Sequence, residues 1–483
     1  MLEVTYLGHQ GWMFGAGGTF LLVDPILHDS FGVRPDAALS VFPQRHISVE
    51  RAPAIDAVFF SHEHDDHFQI ASLTRLSRRT LVVLSSRSSV AARRIAADLG
   101  FQVKVMDADE SLSMNNLELR TFAPDFMNYP CQDEWDVLPF SVTGSLRNET
   151  FLSTVDLPPE TCSNTRFPGL SAPVLSTRAN NFSSKHCLTS WMPAPPPHLA
   201  SAPDLVHTLA QAITEWPATT FLLSGGGWSF TRELQALNHS FFPIANDELA
   251  KSMFSPNSDS STNLRAPLPG DTFEVHDGKV AGLDNRHHGF IRPAPPTSWA
   301  DRTYDVNAER VTDVAPLLGK DPLDPRERQV LRDHLQLVAR RLLGGRLFRA
   351  LASLTKEELG GTKRAYLLFA QTDDSGSGMA FEYSAHEGAF RETDSPIDHY
   401  AAGAACWARD LLAVLTGQIS GPLFTMGRLI EWVNCPAHRP DALSIRSMLW
   451  VWGHPLQMPD EFFQLYRSLS HRFKEFPMLS GPS

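Results

Sequence analysis

The sequence predicts an α/β protein whose first 291 residues alternate short strands with helices, followed by a smaller mixed α/β unit. Three observations predict it. Short β-rich runs recur from the N-terminus at Val4–Leu7, Phe20–Val23, Ala57–Phe60, Leu81–Leu84, Val103–Met106 and Leu117–Phe122. Segments with helical spacing lie between them, notably Ser89–Leu99. A proline-rich break, Arg292-Pro-Ala-Pro-Pro-Thr297, then separates two stretches of different character, so domains are expected over 1–291 and 298–483.

Taken in order, the run Asp56-Ala-Val-Phe-Phe-Ser61 reads as a buried strand, and Phe68 to Arg78 as a helix-like segment after it. Apolar runs at Phe151–Val155 and Thr220–Leu223 predict further strands, and Asp204–Trp216, opening after Ala202-Pro203, a helix. Loops are expected at Pro193–His198 and Ser255–Asn263. Beyond the break, Asp324-Pro325 caps and starts a helix carrying Val330, Leu331, Leu335, Val338, Leu342 and Leu343 on one face. A strand at Ala365–Ala370 with a partner at Met379–Tyr383 follows, then a helix from about Tyr400 to Leu415. The chain holds no internal repeat.

At 483 residues the chain is too long for one ordinary core, which also favours two domains. Lys and Arg number 42 against 54 Asp and Glu, a net charge of -12, with no basic block to track phosphates, so nucleic acid is not an expected partner. The N-terminus lacks a charged region followed by an apolar one. No run approaches the roughly 18 apolar residues of a spanning helix, so no integral membrane segment and a cytoplasmic location are expected. Five scattered cysteines (131, 162, 187, 406, 435) argue against a disulfide framework.

The most informative stretch is Ser61-His62-Glu63-His64-Asp65-Asp66-His67, an HxHxDH pattern at the end of a predicted strand. A turn there aims His62 and His64 at one ion, while Asp66 and His67 face a second close by. Imidazole with carboxylate suits zinc or non-haem iron, and two ions can share a bridging oxygen. The plainer reading, a histidine-rich surface loop, sits badly with the strand before the motif and the helix-like segment after it.

The order Tyr6-Leu7-Gly8-His9, Val23-Asp24-Pro25, the His62–His67 motif, then Ser153-Thr154-Val155-Asp156 resembles the metallo-β-lactamase fold. Within it, the stretch from about 1 to 280, with Pro269-Gly270-Asp271, resembles the hydroxylase domain of CMP-N-acetylneuraminate hydroxylase. The resemblance implies an αββα sandwich of two mixed sheets flanked by helices, with metals at the edge where strands end. It also implies further ligands. Hydrolases of this fold supply a histidine downstream, yet none occurs between His67 and His186; the resemblance puts Asp125, in Phe122-Ala-Pro-Asp125, at that place, a turn-capping residue being the other reading. Asp156 matches the carboxylate that bridges both metals. The last usual histidine is missing, since the strand at Thr220–Leu223 runs into Ser224-Gly-Gly-Gly-Trp228. His239, His186 or water would then complete the second site, either histidine being otherwise structural or solvent-facing. His9 and Asp24 are expected behind the ligands, orienting them.

Two histidines and a carboxylate with open positions are what ferrous iron uses to activate dioxygen. The β-hydroxylase of chloramphenicol biosynthesis is similar in placing a carboxylate where hydrolases use histidine. The leading expectation is a di-iron, O2-dependent oxygenase acting on a small molecule. The alternative is a dinuclear zinc hydrolase of an ester, amide or phosphodiester, with Asp66 and Asp156 holding the ions and orienting the nucleophile. A binding protein with a vestigial site is a third class. The sialic-acid hydroxylase carries a Rieske domain, but this chain has Cys435-Pro-Ala-His438 and no CxH pair, so an oxygenase would draw electrons from an external reductase or from a substrate that supplies its own. The run Tyr400–Leu415 with Phe424–Ile430 resembles sterol-carrier-type modules, which implies a hydrophobic substrate; its apolar spacing is equally that of any buried helix, with Met426, Trp432, Trp450 and Trp452 as core.

Overall fold

The computed structural model describes residues 1–31, 39–123, 136–145, 149–157, 167–170, 173–178, 206–207, 209–210, 213, 220–225, 228–229, 245–253, 263–284, 286–295, 316, 318–343, 366–383, 388–396, 399–400, 402–419, 429–433, 459–474 and 477–479. Two large mixed sheets face each other. The first contains, in spatial order, Lys279–Asp284, Thr272–His276, Leu2–Gly8, Gly11–Ala16, Thr19–Val23, Ala57–Phe60, Leu81–Ser85 and Val103–Met106. The second runs Ser111–Met114, Leu117–Thr121, Phe140–Thr143, Thr150–Ser153, Val174–Arg178, Thr220–Ser224 and Asn263–Arg265. Each is antiparallel over one part and parallel over the other, the parallel strands being Thr19–Val23 to Val103–Met106 in the first and Thr150–Ser153 to Asn263–Arg265 in the second.

The period of two along a strand explains how the layers form. In Leu2–Gly8, Leu2, Val4 and Tyr6 point between the sheets, where they meet Phe140, Phe151 and Phe221 of the facing sheet. In Ala57–Phe60 every residue is buried, with Ala57 and Phe59 facing the second sheet and Val58 and Phe60 the other side. That outer side is covered by helices α1 (Ile70–Arg75) and α2 (Val90–Asp98). Ser89 caps α2, its hydroxyl accepting from Ala92 N at 3.2 Å. The expected strands are present, and the expected segment Ser89–Leu99 is α2 with its cap. Gly270, at φ +97°, forms a turn whose N–H donates to Tyr6 O at 2.7 Å, and a Cβ there would sit 2.7 Å from Ile291 O.

Helix α3 (Asn246–Met253) belongs to the sandwich, with Leu249 and Ala250 in its inter-sheet cluster, and the second α/β region contains α4 (Pro325–Val338), α5 (Ala408–Leu415) and α6 (Pro459–Arg472). Asp324 and Glu327 make a reciprocal capping box at the start of α4, as Asp324-Pro325 predicts. A five-stranded sheet has the order Phe390–Glu392, Gly378–Tyr383, Tyr366–Gln371, Ala402–Trp407, Leu429–Val433. The expected helix from Tyr400 to Leu415 is corrected here. Residues Ala402–Trp407 are a strand, parallel to Tyr366–Gln371 and antiparallel to Leu429–Val433, and only Ala408–Leu415 is helical. Alanine and glycine have no β-preference of their own, so it is pairing on both sides that overrides helix propensity. One hydrophobic cluster joins the outer face of the first sheet, through Phe60, Leu84 and Ile95, to Leu335 of α4, Leu411 of α5 and Phe462 of α6. Among the described residues, no helix is long and apolar enough to cross a membrane.

Candidate metal centre

Parallel strands end at a common edge, and that edge gathers the polar residues singled out in the sequence. Thr19–Val23 and Ala57–Phe60 are parallel neighbours, so Asp24 and Ser61, each the first residue beyond its strand, lie side by side. The Asp24 carboxylate accepts from Ser61 N at 2.8 Å, from Ser61 Oγ at 2.6 Å and from His67 Nδ1 at 2.9 Å. Those bonds occupy both oxygens. Although Asp24 lies close enough to His62 and His67 to form a ligand group with them, its role is to orient His67 and the loop.

The same bonds settle two tautomers. Because Ser61 spends its only proton on Asp24, it must accept from His62 Nδ1, 2.9 Å away, so the unprotonated nitrogen of His62 is Nε2, which faces His64 Nδ1 at 2.9 Å. His67 likewise gives its Nδ1 proton to Asp24, and its buried Nε2 has no hydrogen-bond partner although Asp156 Oδ2 lies 2.8 Å away. A ring nitrogen aimed at carboxylates without hydrogen-bond geometry is what a ligand atom looks like.

Asp156 follows the strand Thr150–Ser153 across the sandwich. Its Oδ2 lies 2.8 Å from His67 Nε2 and 3.6 Å from His62 Nε2, while His62 Nε2 and His64 Nδ1 are 2.9 Å apart. Two ligands on one ion at about 2.1 Å each stand no more than about 4.2 Å apart, and each of these separations complies. Thus His62, His64 and Asp156 form one group, and Asp66, His67 and His9 another, with Asp156 Oδ2 within reach of a ring nitrogen from each. Gln10 holds Asp156 from behind, donating through Nε2 to Oδ1 at 3.0 Å and to Val155 O at 3.2 Å. The Gln10 carbonyl oxygen in turn accepts from Ser224 Oγ at 2.7 Å. Ser224, where hydrolases of the fold would have a histidine, therefore reaches the site only through Gln10.

His9 departs from the expected orienting role. Its Nε2 is 2.8 Å from Asp66 Oδ2, its buried Nδ1 has no partner, and it stands among the candidate ligands of the second group. Gly8, at φ +99°, turns the chain there, and the His9 carbonyl accepts from Tyr6 Oη and Gly225 N, each at 2.7 Å. His9, Asp24 and Val155 all have left-handed backbones, at φ 53°, 44° and 56°. For the β-branched Val155 this is a costly conformation, and its place directly before Asp156 marks the edge as a strained site held by its surroundings.

Charge balance fits a cation. Burial, then the neighbouring His67 and His64, hold the His62 imidazole well below its usual range, which keeps it neutral. Burial opposes a charge on His67 too, yet Asp156, Asp66 and Asp24 around it push its pKa well up. Asp66 is driven down, against burial, by His67 and His9. Three carboxylates converging on one imidazole demand positive charge, which a proton on His67 supplies without metal and a metal ion would supply better. The donor set of imidazole and carboxylate accommodates zinc or iron.

Of the residues expected from sequence, the structure brings together His62, His64, Asp66, His67, Asp156 and His9. Asp125, His186 and His239 lie outside the described residues. Sequence reasoning missed Gln10, which carries no motif signal beyond following His9, and Asp136, a fully buried carboxylate acting electrostatically on His62 and Arg87. It also missed the partners of Glu63, described below.

Residues 3–133 match the family model of the beta-lactamase superfamily domain. Over that stretch the chain is similar to a beta-lactamase superfamily domain. Solved structures with a similar fold include Igni18, a metallo hydrolase from the archaeon Ignicoccus hospitalis, at 15% identity, covering 56% of this chain and 98% of that one with a TM-score of 0.36. An isothiocyanate hydrolase from Delia radicum gut bacteria is 15% identical over 57% of this chain and 99% of its own, TM-score 0.37. A variant of the β-hydroxylase CmlA is 17% identical over 57% of this chain and 54% of that one, TM-score 0.38; CmlA is a diiron enzyme of Streptomyces venezuelae. Likenesses this distant carry no activity from one protein to another.

Proposed function

We propose that this protein is a dinuclear, O2-dependent iron oxygenase built on the metallo-β-lactamase domain. The observation that carries the reading is the donor set of the first group, two imidazoles (His62, His64) and the carboxylate of Asp156, whose Oδ2 also faces His67. A two-histidine, one-carboxylate set with open positions suits ferrous iron. Asp125, placed by resemblance to the hydroxylase domain of CMP-N-acetylneuraminate hydroxylase, would add a second carboxylate. When bound, the metal pair supplies dioxygen binding and reduction. The chain's own residues would hold the pair, His62 and His64 in one group, Asp66 and His67 in the other, with Asp156 Oδ2 facing a ring nitrogen of each. Asp24 keeps the Nδ1 proton of His67, so Nε2 stays a donor, and Gln10 keeps Asp156 Oδ2 turned inward. The substrate is proposed to be a small, hydrophobic molecule, the 298–483 region a sterol-carrier-like α/β domain packed on the first sheet's helices, and the electron donor an external reductase.

His9 favours a second reading. By adding an imidazole beside Asp66 and His67, it makes the second position histidine-rich, as catalytic zinc prefers, and a dinuclear zinc hydrolase of an ester, amide or phosphodiester would follow, with Asp66 and Asp156 orienting the attacking water. Elemental analysis of anaerobically purified protein, paired with oxygen uptake on adding reductant, decides between them. About two irons per chain with oxygen consumption supports the oxygenase; about two zincs without uptake replaces it with the hydrolase.

A further inference from the structure

Glu63 stands between His62 and His64 but belongs to neither candidate ligand group. Its carboxylate is buried, and it takes Ser89 N at 2.6 Å, Ser89 Oγ at 2.7 Å and Tyr466 Oη at 2.9 Å. The first two donors come from the N-terminus of α2, a favourable place for a carboxylate. The third comes from α6, 403 positions further along the chain. The same Tyr466 ring meets Phe68, the residue after His67, with centroids 5.6 Å apart, so α6 touches the motif in its middle and just past its end. Other contacts seat α6: Phe462, Phe463 and Leu469 join the apolar cluster, Arg94 of α2 pairs with Asp460 at 2.6 Å and lies 4.0 Å over the Phe463 ring, and beyond the helix Leu479 N donates to Arg75 O.

We propose that Tyr466 is a positioning residue of the metal-binding loop: its hydroxyl, donated to Glu63, fixes the backbone between His62 and His64, so that seating of α6 and loading of the first metal position are linked. This rests on the metal reading of the site. The loop from Ser61 to His67 contains no helix or strand, and its shape depends on anchors. Asp24 anchors its two ends, at Ser61 and His67, and leaves the middle to Glu63. A buried carboxylate keeps its place only while its donors are present. Burial, with Glu63 alongside, pushes the Tyr466 phenol well above its usual range, so it remains a proton donor. Linkage then runs both ways, from helix to metal and from metal to helix.

The test is Tyr466→Phe, which removes the hydroxyl and keeps the ring. Zn2+ is titrated into the metal-free full-length protein against a competing chelator, beside the unaltered chain and His64→Ala. The expected result is roughly 10–100-fold weaker binding at one position, the usual cost of losing an outer partner, with the metal-free protein still fully folded by circular dichroism at the titration temperature. Adding Tyr466→Phe to Glu63→Gln is expected to cost little beyond Glu63→Gln alone. Unchanged binding in Tyr466→Phe while His64→Ala loses zinc overturns the positioning role and leaves the metal site standing. Zinc binding that neither substitution disturbs overturns the metal reading, and this inference with it. Should Tyr466→Phe not fold, hydrogen exchange of the unaltered chain decides: slower exchange of the α6 amides on zinc loading supports the link, and identical exchange overturns it.

Discussion

The sandwich and the region beyond residue 316 solve the problem of burial differently. Around one strand edge the sandwich buries His9, Gln10, Asp24, His62, Glu63, His64 and His67, whereas beyond residue 316 the buried polar residues among those described are Thr372, Asp410 and Ser470. Burying a polar group is unfavourable unless it is paired, so a fold concentrates such groups where chemistry needs them. The sandwich edge is therefore built as a site and the second region as apolar packing, with Cys406 its buried free thiol among the described residues. What links them is α6, whose Tyr466 reaches Glu63. Substitutions in each region should consequently fail in different ways, one losing metal and the other losing stability.

The largest contrast is expected from His64→Ala. Removing a candidate ligand should abolish loading of the first position and activity with it, an effect beyond the roughly 10–100-fold typical of outer partners, with secondary structure retained by circular dichroism. Metal content and activity that both survive would remove His64 from the site. Next comes Leu411→Ala, in the fully buried part of α5. Losing that side chain from the shared cluster should cost about 2–5 kcal/mol in a denaturant titration while the metal content per folded chain stays the same. A matching loss of metal would show that the second region is part of the site rather than packing beneath it.

The legible part of this molecule was local. The strand Ala57–Phe60, the motif that follows it and the Asp324 cap are each written within a few residues, and the structure has them where spacing predicts. The strand Ala402–Trp407 was misread as helix because its identity depends on partners at Tyr366–Gln371 and Leu429–Val433, which no window on 400–415 contains. Tyr466 was invisible for the same reason, being 403 residues from the carboxylate it serves. Gln10 was adjacent to a motif, yet its function follows from Ser224 and Asp156, brought in from the opposite sheet. Distance in sequence, more than subtlety of chemistry, separates what was read from what was missed.

Gln10 gives the next test down in size. Gln10→Ala leaves Asp156 Oδ1 without its donor and should weaken metal binding about 10–100-fold, with Gln10→Glu no better because a carboxylate cannot donate to Asp156. Affinity equal to the unaltered chain in both variants would show that Asp156 is held by other groups.

The smallest expected effect tests the seam between the regions through acid. His28 is half-buried, its ring 5.3 Å from that of Phe473, just beyond α6. Burial, then the charges of Arg75 and Arg45, lower its pKa to about 4, against a slight opposing hydrogen bond to Ala71. A histidine whose folded pKa is depressed stays neutral in the fold and protonates first in the unfolded chain. Its contribution is therefore complete above about pH 6.5 and is lost as pH falls toward about 4. Allowing for partial exposure, the loss should be about 1–2 kcal/mol. Replacing the ring by one that cannot charge, His28→Phe, should flatten the fall in unfolding free energy across that window while leaving other acid-sensitive steps in place. Because His28 faces Phe473, the same acid step should expose the segment after α6 to hydrogen exchange before the sandwich opens. Equal protection of both down to pH 4 would place the acid sensitivity elsewhere and show that the seam is as firm as the sandwich it closes.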